Sequence, residues 1–183
     1  MEFVSLFETE LGIGAVVASE RGIRSVVLPG CDEVCPGGQP AAPLGVPSPL
    51  TERVARMLES YFKGERQDFE AIPVDLDELT AFRARILLLI RAIPFGEVRS
   101  YGEVAALAGA PRAVRAVGGA MASNPAPIVI PCHRVVAANG GLTGFTAPGG
   151  LPVKKLLLHM EGVEFKGERV RLKNEVYKQE KLA

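Results

Sequence analysis

The sequence predicts an α/β N-terminal domain, a small sheet plus a helix, followed by a mainly helical, winged-helix-like C-terminal domain built on a helix-turn-helix. Three observations point there. The first 79 residues hold β-rich runs and one amphipathic helical stretch; from Thr80 onward, helical segments with recognisable starts and stops follow one another; and the charge changes sign at the same place. Residues 1–80 carry 6 Lys+Arg and 14 Asp+Glu, a net −8, whereas residues 81–160 carry 9 and 2, a net +7. The chain as a whole is neutral, so only this distribution informs. One half suited to a polyanion, joined to one that is not, is the pattern expected of nucleic-acid binding. The boundary is placed between domains 1–79 and 80–183.

The elements follow in order. Residues 11–18 and 23–28 are β-rich and separated by Ser19-Glu20-Arg21-Gly22, a turn signal, so they predict a hairpin. Residues 29–49 are too rich in Pro and Gly for regular structure and read as a surface loop. From Ser48 the spacing of Val54, Leu58, Tyr61 and Phe62 is helical, with Ser48 or Thr51 as cap and Gly64 as stop. Residues 69–74 read as another strand and 75–78 as a polar link. Thr80 caps a helix over 81–92, ended by Pro94 and Gly96. Ser100 and Glu103 form a capping box for a helix over 101–108, and Gly109-Ala110 makes a tight turn. A third helix is expected from Pro111 to about Ser123, with Arg112 and Arg115 in its first turns. Residues 135–138 continue as strand or turn, 138–150 as loop, 151–160 as an amphipathic helix and 163–172 as a short hairpin, before a charged tail.

Two helices joined by a short turn are either a packing unit or a DNA reader whose second helix enters a groove. That second helix carries Ala113, Ala116, Gly118, Gly119 and Ala120, which leave its backbone nearly bare at a cost near 1 kcal/mol for each Gly. Either another helix packs tightly there or something outside the chain approaches closely.

A chain of 183 residues with 48% apolar content can build its core without disulfide or metal staples. No apolar run approaches the roughly 20 residues of a membrane span, and the N-terminus lacks the basic start of a signal peptide, so a cytoplasmic protein is expected. Its three cysteines are then no disulfide framework. Cys31 and Cys35 lie far in sequence from both histidines, so no zinc set is expected and the two read as loop residues.

Residues 124–136 are the most informative stretch. The apolar run 128–130 lies between Pro127 and Pro131, so the chain enters and leaves a short buried segment on fixed trajectories. Cys132 and His133 follow. An imidazole can generate a thiolate by taking its proton, directly or through a water, yet neighbours on an extended segment point apart, and a turn after Pro131 would have to bring them together. The pair taken alone reads more readily as a small buried hydrophobe beside a satisfied histidine.

Its surroundings decide more. Pro131-Cys132-His133-Arg134-Val135, preceded by Arg115-Ala116-Val117-Gly118-Gly119-Ala120-Met121 and Asn124-Pro125, and followed by Gly141-Leu142-Thr143-Gly144-Phe145 and by Leu156-Leu157 with Glu161-Gly162, closely resembles the O6-alkylguanine-DNA alkyltransferases. The likeness is continuous from about Thr80 to Gly162 and looser before it. It implies a suicide enzyme that repairs DNA by moving a methyl or alkyl group from O6-alkylguanine, and from O4-alkylthymine, irreversibly to Cys132. The resemblance makes His133 the base, Glu161 its orienting acid and Asn124 the organiser of the turn. Tyr101 matches the residue that helps extrude the nucleotide and protonates the leaving guanine. Arg115 matches the side chain inserted in the vacated stack, with Gly102, Ala116 and Gly118 beside the DNA, and Met121, Pro127, Val135, Phe145 and Thr146 match the alkyl pocket. Also implied are double-stranded DNA as partner, met through the minor groove largely without regard to sequence, no cofactor or metal, no membrane, and a monomer.

The match has departures: Ala122 stands where some relatives are basic, Phe145 where tyrosine is frequent, and the following loop is about two residues longer. These bear on substrate range. Arg134 reads as an internal tie and His159 as a surface residue near a helix end. Two rivals remain at this point. Alkyltransferase-like proteins bind damaged DNA without repairing it, but lack the cysteine. A turnover cysteine hydrolase would form an acyl-enzyme and need no DNA.

Overall fold

A computed structural model describes residues 2–30, 34–35, 39–40, 45–147 and 149–172. Strands β1 (Phe3–Thr9), β2 (Gly12–Ala18) and β3 (Ile23–Val27) form an antiparallel sheet in that order. The expected hairpin is β2–β3, and β1 joins it from a stretch to which the pattern had assigned nothing. Within the region read as loop, β4 (Val34–Cys35) and β5 (Gln39–Pro40) pair as two short strands. Cys31 and the tail 173–183 lie outside the described residues.

Helix α1 (Pro49–Phe62) starts at Ser48 with a reciprocal cap to Thr51. It lays Val54, Ala55, Leu58 and Tyr61 against the sheet, all buried. Burying side chains of this size contributes about 1.5–3 kcal/mol each, so this face anchors the N-terminal part.

The strand expected over 69–74 is absent; only Val74 makes a bridge, to Ile23. The Arg91 guanidinium explains the difference. Its Nη2 donates to the carbonyls of Phe69, Glu70 and Ile72, and drawing three acceptors within four residues onto one nitrogen coils the chain instead of extending it.

Helix α2 (Ala81–Arg91), capped by Thr80, begins the helical part, and β6 (Arg99–Ser100) leads into α3 (Tyr101–Leu107). The Ser100–Glu103 capping box is present as read from the sequence. Helix α4 (Val114–Ala122) begins three residues later than expected. Ala113 N–H bonds the Ala110 carbonyl at 2.8 Å, so Pro111 and Arg112 are the middle of a turn, where proline's fixed φ suits the second position as well as a helix start. Arg112 therefore precedes the helix, and Arg115 lies in its first turn.

A single 3-10 turn (Cys132–Arg134) follows, then β7 (Val135–Val136), α5 (Gly150–Met160) and the hairpin β8 (Phe165–Lys166) and β9 (Arg169–Val170). Strands β6 and β7 pair in parallel, which sets the start of α3 beside the 3-10 turn. One continuous core runs from the sheet through α1 and α2 to α4 and residues 126–132. Among the described residues no helix is long and apolar enough to cross a membrane.

Candidate active site

Asn124 builds the loop behind Cys132. Its Nδ2 donates to the Ile130 carbonyl at 2.9 Å and its Oδ1 accepts from Ala126 N–H at 3.1 Å, closing the turn between Pro125 and Pro131. Ile128, buried inside, has φ 71°, the left-handed region that β-branched residues avoid at a cost of about 1–3 kcal/mol. The surrounding bonds and packing hold it there. The 3-10 turn that follows carries Cys132, His133 and Arg134 in succession, all buried.

The centre of the site is an ionised carboxylate. Glu161 Oε1 lies 2.7 Å from His133 Nε2, 2.7 Å from the Tyr61 hydroxyl and 3.0 Å from Arg134 Nη2. Its Oε2 accepts from Arg134 Nε at 2.8 Å and from Gly96 N–H at 3.1 Å. Burial would raise this carboxyl, but the bonds from His133 and Arg134 outweigh it and hold it well below the usual carboxylate range. Arg134 also donates to the Ile93 carbonyl at 2.6 Å, and so is the internal tie read from the sequence.

The histidine tautomer follows. Burial lowers the His133 pKa against the pull of Glu161, so the ring is neutral near pH 7 and its Nε2 carries the hydrogen given to the carboxylate. Nδ1 then bears the lone pair, and it is buried with no partner among the described residues. Burial pushes the Cys132 thiol up, while hydrogen bonding from Asn124 and the charge of Lys154 pull it down.

Lys154 was not anticipated, because a lysine within an amphipathic helix reads as solvent-facing. It is fully buried, and its Nζ donates to the Val135 carbonyl at 2.6 Å and the Thr143 carbonyl at 2.7 Å. Burial lowers its pKa to about 8. The same Thr143 carbonyl accepts the Tyr101 hydroxyl at 3.2 Å, and burial raises the Tyr101 pKa.

A cavity of about 270 Å³ opens beside Cys132. Of the residues expected to line it, Met121, Pro127 and Thr146 do. Val135 and Phe145 do not: Val135 is fully buried, its carbonyl engaged by Lys154, and Phe145 packs on the core. The sequence reading missed the far wall, Val26 and Leu28, brought in where Val26 N–H bonds the Pro125 carbonyl at 2.9 Å. Nothing local in the sequence signals a contact across some hundred residues.

The outer face of α4 presents Arg115, Ala116 and Gly119 to solvent, with Gly118 half-buried and Gly102 half-buried at the start of α3. A Cβ on Gly119 would meet nothing within 4 Å, and one on Gly118 would come no nearer than 3.9 Å to Tyr101. Packing among the described residues thus does not require either glycine. Gly119→Ala should raise stability by about 1 kcal/mol through helix propensity alone, checked by denaturant unfolding.

The ensemble is that of a helix-turn-helix protein with a buried Cys-His-Glu site opening on a small cavity. Comparison with known proteins agrees. The family model described as "6-O-methylguanine DNA methyltransferase, DNA binding domain" matches residues 81–163, and that described as "6-O-methylguanine DNA methyltransferase, ribonuclease-like domain" matches residues 3–76. The methylated-DNA--protein-cysteine methyltransferase of Mus musculus is 39% identical over 87% of this chain and 81% of its own length. That of Methanosarcina acetivorans is 35% identical over 87% of this chain and 98% of its own. The crystal structure of Mycobacterium tuberculosis OGT in complex with DNA superposes with a TM-score of 0.70 at 32% identity, covering 87% of this chain and 93% of that one. The chain belongs to the 6-O-methylguanine DNA methyltransferase family.

Proposed function

We propose that the protein repairs alkylated DNA by transferring a methyl or small alkyl group from O6 of guanine, and from O4 of thymine, to Cys132. The observation that carries this reading is the free thiol at the cavity, followed by an imidazole whose one committed nitrogen is fixed by an ionised glutamate. In the reaction the sulfur–carbon bond forms as the O6–carbon bond breaks, and guanine leaves with the electron pair. His133 Nδ1 takes the thiol proton through a solvent molecule, Glu161 orients the ring, and Tyr101 supplies a proton to the departing base. Net, the thiol proton ends on guanine. The thioether is stable, so each molecule acts once.

A target oxygen inside a duplex cannot reach a buried thiol, so the nucleotide must rotate out, costing a few kcal/mol unless the gap is filled. Arg115 is exposed on α4, which supports giving it the role of filling that gap. The bare faces of Ala116, Gly118 and Gly119 suit approach to the minor groove through contacts that read little sequence. The cavity suits one planar base with a small substituent, lying near the lower limit of ligand pockets, roughly 300 Å³. On this reading domain 1–79 supplies a wall of the pocket, domain 80–183 supplies the chemistry, and a monomer suffices.

Incubation with a duplex containing O6-methylguanine is expected to add one methyl group per protein molecule, on the peptide carrying Cys132. Label on another residue, or continued turnover, would overturn the reading.

A further inference from the structure

Tyr61 stands at the end of α1, a hundred residues from Glu161 in sequence, and is fully buried. Its ring meets Phe62, Phe69 and Phe95 edge-on, with centroids 5.8, 6.3 and 6.4 Å away. Phenylalanine would fill that space as well. A buried hydroxyl, however, needs a partner, and this one donates to Glu161 Oε1 at 2.7 Å while lying 3.3 Å from His133 Nε2. We propose that Tyr61 is a positioning residue of the transfer site, its hydroxyl sharing Oε1 with His133 and so setting how firmly Glu161 holds the imidazole proton. The proposal rests on reading Cys132, His133 and Glu161 as the transfer relay.

Donors that converge on one oxygen weaken one another, because each withdraws the negative charge the others would use. Tyr61 and Arg134 both draw on Oε1, so less of the carboxylate's charge is left to favour an imidazolium. Burial is the main reason the ring stays neutral in the resting protein, and this sharing adds to it, with Nδ1 open to receive a proton. The ionisable groups acting on Tyr61 are Glu161 and Arg134; those acting on His133 are Glu161, Arg134 and Lys154. Among the described residues, the Tyr61 hydroxyl is what the N-terminal part of the chain brings to this cluster.

The test uses the full chain with Tyr61→Phe, which keeps the ring packing and removes one oxygen. Reaction of Cys132 with iodoacetamide is followed across pH by mass spectrometry of its peptide, alongside transfer from a methylated duplex. Without the hydroxyl, Glu161 favours the imidazolium more, so the thiolate forms at lower pH. The midpoint is expected to fall by roughly half a pH unit or more, and the acid limb of the transfer profile to move with it. Phe69→Leu, which loosens the same aromatic cluster without touching Glu161, is expected to lower Tm and leave the midpoint in place. A midpoint that stays or rises in Tyr61→Phe, or moves equally in Phe69→Leu, overturns the proposal. Because the reagent needs no DNA, a wild type that accepts no methyl group instead overturns the functional reading.

Discussion

Cys132→Ala is expected to abolish alkyl transfer while leaving affinity for a methylated duplex within about threefold of the wild type. The thiol lines its cavity and is buried, whereas Arg115 and the bare helix surface lie on the outside of α4. Contacts with phosphates fix position on DNA; on the proposed reading that outer surface makes them, so deleting one internal sulfur leaves them intact. The variant should also fold, since removing one sulfur beside an existing cavity costs about 1 kcal/mol. Quantitative gel shift on a methylated duplex, with mass spectrometry of the same samples, checks both halves. Equal loss of binding and transfer would mean that the thiol serves the fold.

Glu161→Gln is expected to act on two properties at once. Transfer should fall by about a hundredfold or more, because an amide no longer holds the imidazole as a carboxylate does. Stability should fall too, by about 3 kcal/mol, since Arg134 would keep its buried charge beside a neutral group. Thermal unfolding and single-turnover kinetics separate the two. DNA affinity, measured below the lowered Tm, should change little.

A pH dependence follows with a definite sign. The folded-state pKa of Glu161 is depressed, so its contribution to stability is present above the unfolded value, about 4.3, and is lost as pH falls through the folded one. Acid unfolding of the wild type should therefore include a component that Glu161→Gln lacks.

Much of this was legible in the sequence, and the reason differs from part to part. The capping box at Ser100 and Glu103 is a local rule satisfied by residues three apart, and it held. The hairpin β2–β3 and helices α1, α2 and α5 likewise follow from short-range periodicity and stops. Where two local rules competed, the reading erred: Pro111 suits both the first position of a helix and the second of a turn, and the Ala113-to-Ala110 bond selects the turn. Long-range contacts left no local trace. Arg91 folding residues 69–72 round itself, Lys154 reaching two carbonyls from a buried helix face, and Tyr61 meeting Glu161 each depend on a tertiary partner. Family resemblance supplied the candidate residues, but Val135 and Phe145 matched pocket positions and yet stand outside the cavity.

The bond between Val26 and Pro125 makes the edge of the sheet and the thiol loop opposite banks of one channel. Neither bank encloses the cavity alone. Prising them apart would open it while strands and helices were still formed, so on the proposed reading the capacity to repair vanishes on warming no later than the fold.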